Sequence, residues 1–202
     1  MKIPLEPGQF YHIYNHANGH ENLFVNEGNY HFFMSKYAQY IQPIADTFAY
    51  CLMPNHFHIA IKIKSKKELL KIPGIEKYAT ISAFLSKQFA KLFSSYTQAF
   101  NKQQSRRGSL FVPNFSRKRI ESPSYFRALI HYIHFNAVHH GFVDDLRDWP
   151  YSSFNSFFSP KSSSLKRAEV LAWFEDKNSF FKFHQKQIDE KMVLELEVND
   201  FD

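Results

Sequence analysis

The chain has 202 residues, a formal net charge of +6, 44% hydrophobic residues including 23 Phe, and a single cysteine, Cys51. That content supports one packed domain with an appendage, and one cysteine excludes an intrachain disulfide framework and suits a reducing compartment. The opening "MKIPLEPGQFYHIY" has no long apolar stretch, and no run approaches the ~20 apolar residues of a membrane span, so a soluble cytoplasmic protein with no membrane partner is expected.

In chain order, "GQFYHIYNHA" carries β-favouring Phe10, Tyr11, Ile13 and Tyr14, then breaks at the Asn- and Gly-rich "NHANGHEN". "EGNYHFFMSKYAQYIQPIAD" places Tyr30, Phe33, Met34, Tyr37 and Ile41 at helical spacing. "TFAYCLM" and "HFHIAIKIK" read as two strands joined at Pro54-Asn55, a hairpin. A basic, broken connection leads to the helix "ISAFLSKQFAKLFSSYTQAF", with Phe84, Leu85, Phe89, Leu92 and Phe93 along one side. A basic lead then enters a strand expected around Ser109 to Phe115. Ser122-Pro123 starts a further helix, ending near Gly141 as its C′ residue. A serine-rich joint, a short helical segment near "RAEVLAWFEDKNSFFKFHQKQ" and a tail complete the chain.

The tail, residues 187–202, holds six acids and one Lys, leaving 24 basic against 13 acidic residues over 1–186. A basic body favours a polyanionic partner, because Lys and Arg release counterions from phosphates. An acidic tail could shield such a surface. The order β-α-β-β-α-β-α predicts an α+β fold: a ferredoxin-like (split βαβ) antiparallel sheet with helices packed on one face.

Side chains alternate along a strand, so Phe57, Ile59, Ile61 and Ile63 share a core face while His56, His58, Ala60 and Lys62 share the other. Two imidazoles projecting together could reach one metal ion or one anion. Taken alone, they are equally two histidines on a half-exposed sheet. In the helix "SYFRALIHYIHFNAVHH", Phe126, Leu129, Ile130, Ile133 and Ala137 form the buried stripe, and Tyr132 and Asn136, four apart, are neighbours on its flank. A Tyr can be a covalent nucleophile and an Asn oxygen a cation ligand. Alone, the pair could also be an ordinary packed Tyr with a polar neighbour. The segment "KQQSRRGSLFVPNFSRKR" contains no acid and interleaves Phe111 and Phe115 with Arg106, Arg107, Arg117, Lys118 and Arg119. Such a combination suits single-stranded or hairpin DNA, the alternative being a solvated basic loop. His12, His16, His20 and His31 are scattered, and none is read as a ligand.

"MPNHFHIAI" followed by "HYIHFNAVHHGFVDDLRDWPYSSF" resembles the HUH single-tyrosine transposases, in particular the REP-associated tyrosine transposases. His56-Phe57-His58 matches the family's His-hydrophobic-His strand, and Tyr132 to Asn136 its Tyr-Ile-His-x-Asn helix. The resemblance covers about residues 8–157, which sets out an HUH domain over 1–157 and a linker, helical segment and acidic tail over 158–202. The chain departs from the family in having Ala137 after the motif Asn, where Pro is common, and His16 near the first turn, where Arg is frequent. The resemblance implies an HUH endonuclease fold in which His56, His58 and Asn136 hold Mg2+ or Mn2+ and Tyr132 attacks a phosphate of single-stranded or hairpin DNA. It further implies a 5′-phosphotyrosine intermediate, a free 3′-OH and a monomer or homodimer. The alternative is a domesticated protein that binds DNA hairpins without cutting.

Overall fold

A computed structural model describes residues 3–186; the acidic tail lies outside the described residues. The sheet has four strands, β1 (Phe10–His16), β2 (Ala45–Leu52), β3 (His56–Ile63) and β4 (Ser116–Arg119), in the order β2-β3-β1-β4 with every neighbour antiparallel. Helix α1 (Glu27–Tyr40) connects β1 to β2, and β3 lies between them, which is the split βαβ arrangement. The short α2 (Lys66–Leu69) and the long α3 (Ile81–Gln103) connect β3 to β4, and α4 (Pro123–His139), α5 (Arg167–Ala172) and α6 (Lys177–His184) follow. Among the described residues no helix is long and apolar enough to cross a membrane.

Strand alternation divides the interior into two cores. Tyr11, Ile13, Phe57, Ile59 and Ile61 pack against Phe33 and Tyr37 of α1 and Phe84, Phe89 and Leu92 of α3. The opposite face, with Phe48, Cys51 and Ala60, packs against Phe126, Leu129, Ile133 and Ala137 of α4. Burying each large apolar side chain stabilises by about 1.5–3 kcal/mol, and Phe57→Ala would cost about 3–5 kcal/mol at its fully buried position.

The α+β class and strand order match the sequence reading. Helices, however, cover both faces of the sheet: α1 and α3 lie on one face as expected, and α4 covers the other. The reason lies in α4, which is buried on nearly every side; besides its apolar stripe, His131, Tyr132, His134 and Asn136 are all within the interior. A second correction concerns the last strand, which forms at Ser116–Arg119 instead of Ser109 to Phe115. Pro113 cannot donate to a ladder, and Asn114 adopts a left-handed φ of 65°, so the chain turns there before pairing. Phe111 makes only an isolated bridge to Ala17.

Helix ends follow local chemistry. Ser122 caps α4 by accepting from the Tyr125 N–H, and Pro123 occupies the first turn, where its missing N–H costs nothing. At the other end Gly141 takes φ +69°, Phe142 N–H donates to Ala137 O and Gly141 N–H to Val138 O, a Schellman closure. Helices α5 and α6 pack Val170 and Phe180 into the α4 core.

Candidate active site

Tyr132 and Asn136 are one turn apart on α4, separated by ~6 Å of helical rise. His56 and His58 are two apart on β3, separated by roughly 6.7 Å of strand rise. The spacings match, and the helix lies across the sheet so that each helical residue meets one histidine. The Tyr132 ring lies edge-on to His58 at 5.2 Å between centroids, and Asn136 Oδ1 is 2.8 Å from His56 Nε2. The four residues therefore converge: His56, His58 and Tyr132 line a cleft together with Tyr14, Asn15, His16, Val112, Ser116 and His140, and the fully buried Asn136 reaches it through His56.

The imidazoles are held neutral. Burial pushes His56 down to about 3, with His140 nearby adding to the effect. His58 is held well below its ordinary value of 6.5, first by burial and then by His12. A neutral imidazole is the form that ligates a cation. His58 Nδ1 lies 2.9 Å from His12 Nε2, and His56 Nδ1 lies 2.8 Å from Asn55 Oδ1, so each ring is oriented through the nitrogen away from α4. The Asn136 amide nitrogen is buried with no hydrogen-bond partner among the described residues. Among the described residues no group of three or more His, Cys, Asp or Glu side chains could hold a metal ion.

The basic residues do not act as one patch. On β4, Lys118 pairs with His12 and so shares the face of His58, whereas Arg117 and Arg119 pair with Ile13 and Tyr11 on the opposite face. Arg117 lies over the Phe115 ring at 5.1 Å and lines a separate groove between α3 and the 109–117 segment, with a volume of about 580 Å³. Arg119 pairs with Glu6 at 3.1 Å. Arg106 is a clamp: it pairs with Glu21, donating from Nε to Glu21 Oε1 at 3.1 Å and from Nη2 to Ser109 O at 3.1 Å. Arg107 is exposed.

His134, inside the Tyr-Ile-His-x-Asn match, points away from the cleft. It lies 2.8 Å from Ser153 Oγ and 2.9 Å from His184 Nε2, joining α4 to α6. His139, which falls roughly on the Tyr132 side of a helical wheel, is exposed, and its neighbour His140 lines the cleft instead. His12, His16 and Asn55 were not read as site residues from the sequence. Their signal is nonetheless present: His12, Tyr14 and His16 fall on alternate positions of β1, the same face as His56 and His58 once the register is known.

A four-stranded split-βαβ sheet carrying a histidine pair opposite a tyrosine-bearing helix defines the class. No family model matches the chain. It is 29% identical over 135 residues to a Haemophilus influenzae protein named "Putative REP-associated tyrosine transposase", covering 65% of this chain and 69% of that protein. Its fold is similar to the solved structure of a REP-associated tyrosine transposase bound to a REP hairpin, with a TM-score of 0.59, 16% identity, and coverage of 79% of this chain and 84% of that one. The chain thus resembles REP-associated tyrosine transposases in sequence, and a solved member in fold.

Proposed function

We propose that the chain is a divalent-metal-dependent single-stranded DNA endonuclease and strand transferase that acts at hairpin DNA through Tyr132. The observation that carries the reading is the convergence of Tyr132, His56 and His58 at one cleft with Asn136 buried against His56, in a chain similar to a protein named as a putative transposase. Hairpin DNA is the ligand of the similar solved structure and suits the basic body of this chain.

The residues fit a cation. His56 Nε2 and Asn136 Oδ1 are 2.8 Å apart. Two ligands at about 2.1 Å from an octahedral Mg2+ are separated by ~3 Å. His58 would complete the protein's share through Nε2 if its Nδ1–H donates to His12. Imidazole favours transition metals and amide oxygen favours hard ions, so Mn2+ suits the mixed set and Mg2+ remains compatible with it. When bound, the ion supplies charge that polarises a phosphate oxygen, undiminished by anionic ligands.

The remaining chemistry belongs to the chain. Tyr132 Oη forms a bond to phosphorus as the P–O3′ bond breaks; the phenolic proton is lost and the departing 3′-oxygen gains one. A second strand's 3′-OH reverses the step, rejoining DNA without external energy. Lys118, on the same sheet face as His58, contributes positive charge that would offset negative charge at the reacting phosphate. Burial of the cleft strengthens these electrostatic terms.

The test incubates the protein with single-stranded repeat-hairpin DNA and Mn2+ or Mg2+, and resolves covalent adducts on a denaturing gel. A metal-dependent adduct that disappears in Tyr132→Phe is expected. Hairpin binding with no adduct under either metal would support the non-cleaving alternative instead.

A further inference from the structure

We propose that the groove between α3 and the 109–117 segment is a binding site for an unpaired nucleotide of the DNA strand that enters the cleft; the inference rests on the hairpin-DNA reading above and adds a second contact on the same substrate. The groove adjoins the cleft, since Asn15 and Val112 line both. A strand leaving the cleft over the end of β1 therefore enters the groove. Its volume of about 580 Å³ falls within the roughly 300–1,000 Å³ typical of ligand sites.

The chemistry of the walls selects the ligand. They are built from Phe93, Phe111 and Phe115, from neutral amides and hydroxyls such as Gln98 and Ser94, and from Arg117, with no acid among them. A purely apolar ligand would leave the cation and the amides unpaired, and an anion without a ring would leave the phenylalanines unused. A nucleotide supplies a flat ring, a phosphate, and edge donors and acceptors that side-chain amides read. Arg117 carries the choice furthest. Arg106 and Arg119 are answered by Glu21 and Glu6, whereas Arg117 has no such ion pair among the described residues. Its guanidinium lies over the Phe115 ring at 5.1 Å, and its Nε is buried without a hydrogen-bond partner. A partly desolvated cation without a counter-charge is costly to the fold, and a phosphate arriving from solvent offsets that cost. The guanidinium plane is also a surface on which nucleobases stack.

The rim continues the pattern. Ala90, Ser94 and Gln98 belong both to the groove and to an adjoining depression that carries the exposed Lys87 and Lys91. No acid occurs in the 23 residues of α3, so phosphates flanking the bound nucleotide meet only positive or neutral side chains along that helix.

The test uses the full chain without metal and one repeat hairpin in several forms: blunt, with a short single-stranded extension at either end, and with the same extensions made abasic. Fluorescence anisotropy should show a hairpin extended at one end bound about tenfold or more tightly than the blunt one, with most of the gain lost when the bases are removed and the phosphates kept. Arg117→Met, which keeps an aliphatic stem over Phe115, should erase the gain while blunt-hairpin affinity stays within about threefold of the parent. An iodouracil in the extension, irradiated in the complex, should crosslink within residues 93–117, read by peptide mass spectrometry. Equal affinity for all forms, equal losses on blunt and extended hairpins in Arg117→Met, crosslinks confined to the cleft, or no DNA binding at all would each overturn the proposal. If the extension occupies the groove but no covalent adduct forms with Mn2+ or Mg2+, the cleavage reading fails and the groove assignment stands.

Discussion

Asn136 has no exposed surface, and its amide nitrogen has no hydrogen-bond partner among the described residues. A buried polar group left in that state costs about 1–3 kcal/mol, so the residue is a burden on the fold unless it binds something. Asn136→Leu, similar in size, should leave the metal-free protein as stable as the parent or more stable by roughly 1 kcal/mol in urea unfolding. The same change should lower metal-dependent cleavage by at least ~10²-fold. A loss of stability beyond about 2 kcal/mol would mean that the amide is structural. His58→Ala should likewise abolish cleavage while hairpin affinity, measured by fluorescence anisotropy, stays within a few-fold of the parent. Tyr132, Asn136, His56 and His58 were legible as residues in the sequence, because helical and strand periods place each pair on one side. His12, His16 and Asn55 were not, because only the β1–β3 register brings them against the pair.

Strand β4 shows how an element sorts residues that sequence treats as one group. Its two-residue period sends Lys118 to the cleft face and Arg117 and Arg119 to the other. Lys118→Ala should therefore weaken binding to single-stranded hairpin DNA and reduce the slope of log affinity against log salt by about 1. Arg106→Ala should act differently, since its guanidinium clamps Glu21 and the Ser109 backbone: destabilisation of about 1 kcal/mol in urea is expected, with the salt slope unchanged. A reversed pattern in paired urea and salt titrations would refute the assignment. The expected strand at Ser109 to Phe115 was misplaced for a related reason: Leu110 and Phe111 are buried there, but Pro113 and Asn114 prevent a ladder, which burial alone does not reveal.

At the scale of the molecule, six buried histidines are neutral in the fold. His12, His56 and His184 are lowered to about 3 and His131 to about 4, and His58 and His134 are held well below their ordinary value, in every case chiefly by burial. Unfolded imidazoles titrate near 6.5, so the unfolded chain binds more protons as pH falls from there toward the folded values. Stability is fully present above about pH 6.5 and is lost below it, each histidine contributing up to ~1.4 kcal/mol per pH unit. Acid unfolding of the metal-free protein, followed by circular dichroism, should begin between about pH 6 and 5, well above the carboxylate range. A fold intact at pH 4 would contradict the buried neutral state. Three of these histidines, His131, His134 and His184, belong to the α4–α6 contact and not to the cleft.

The sequence by itself determined the α+β class, the split βαβ order, the α4 capping, and that His56 and His58 share one strand face and Tyr132 and Asn136 one helix flank. These follow from local periodicity and turn chemistry, which act within a few residues of chain. Only the tertiary structure decided that α4 lies on the opposite sheet face from α1 and α3, and that Lys118 alone of the β4 cations shares the face of His58. It also decided that His16 and Asn55 lie against His56. Those facts depend on strand register and on which face receives a helix buried all round, and both are set by contacts between residues far apart in the chain.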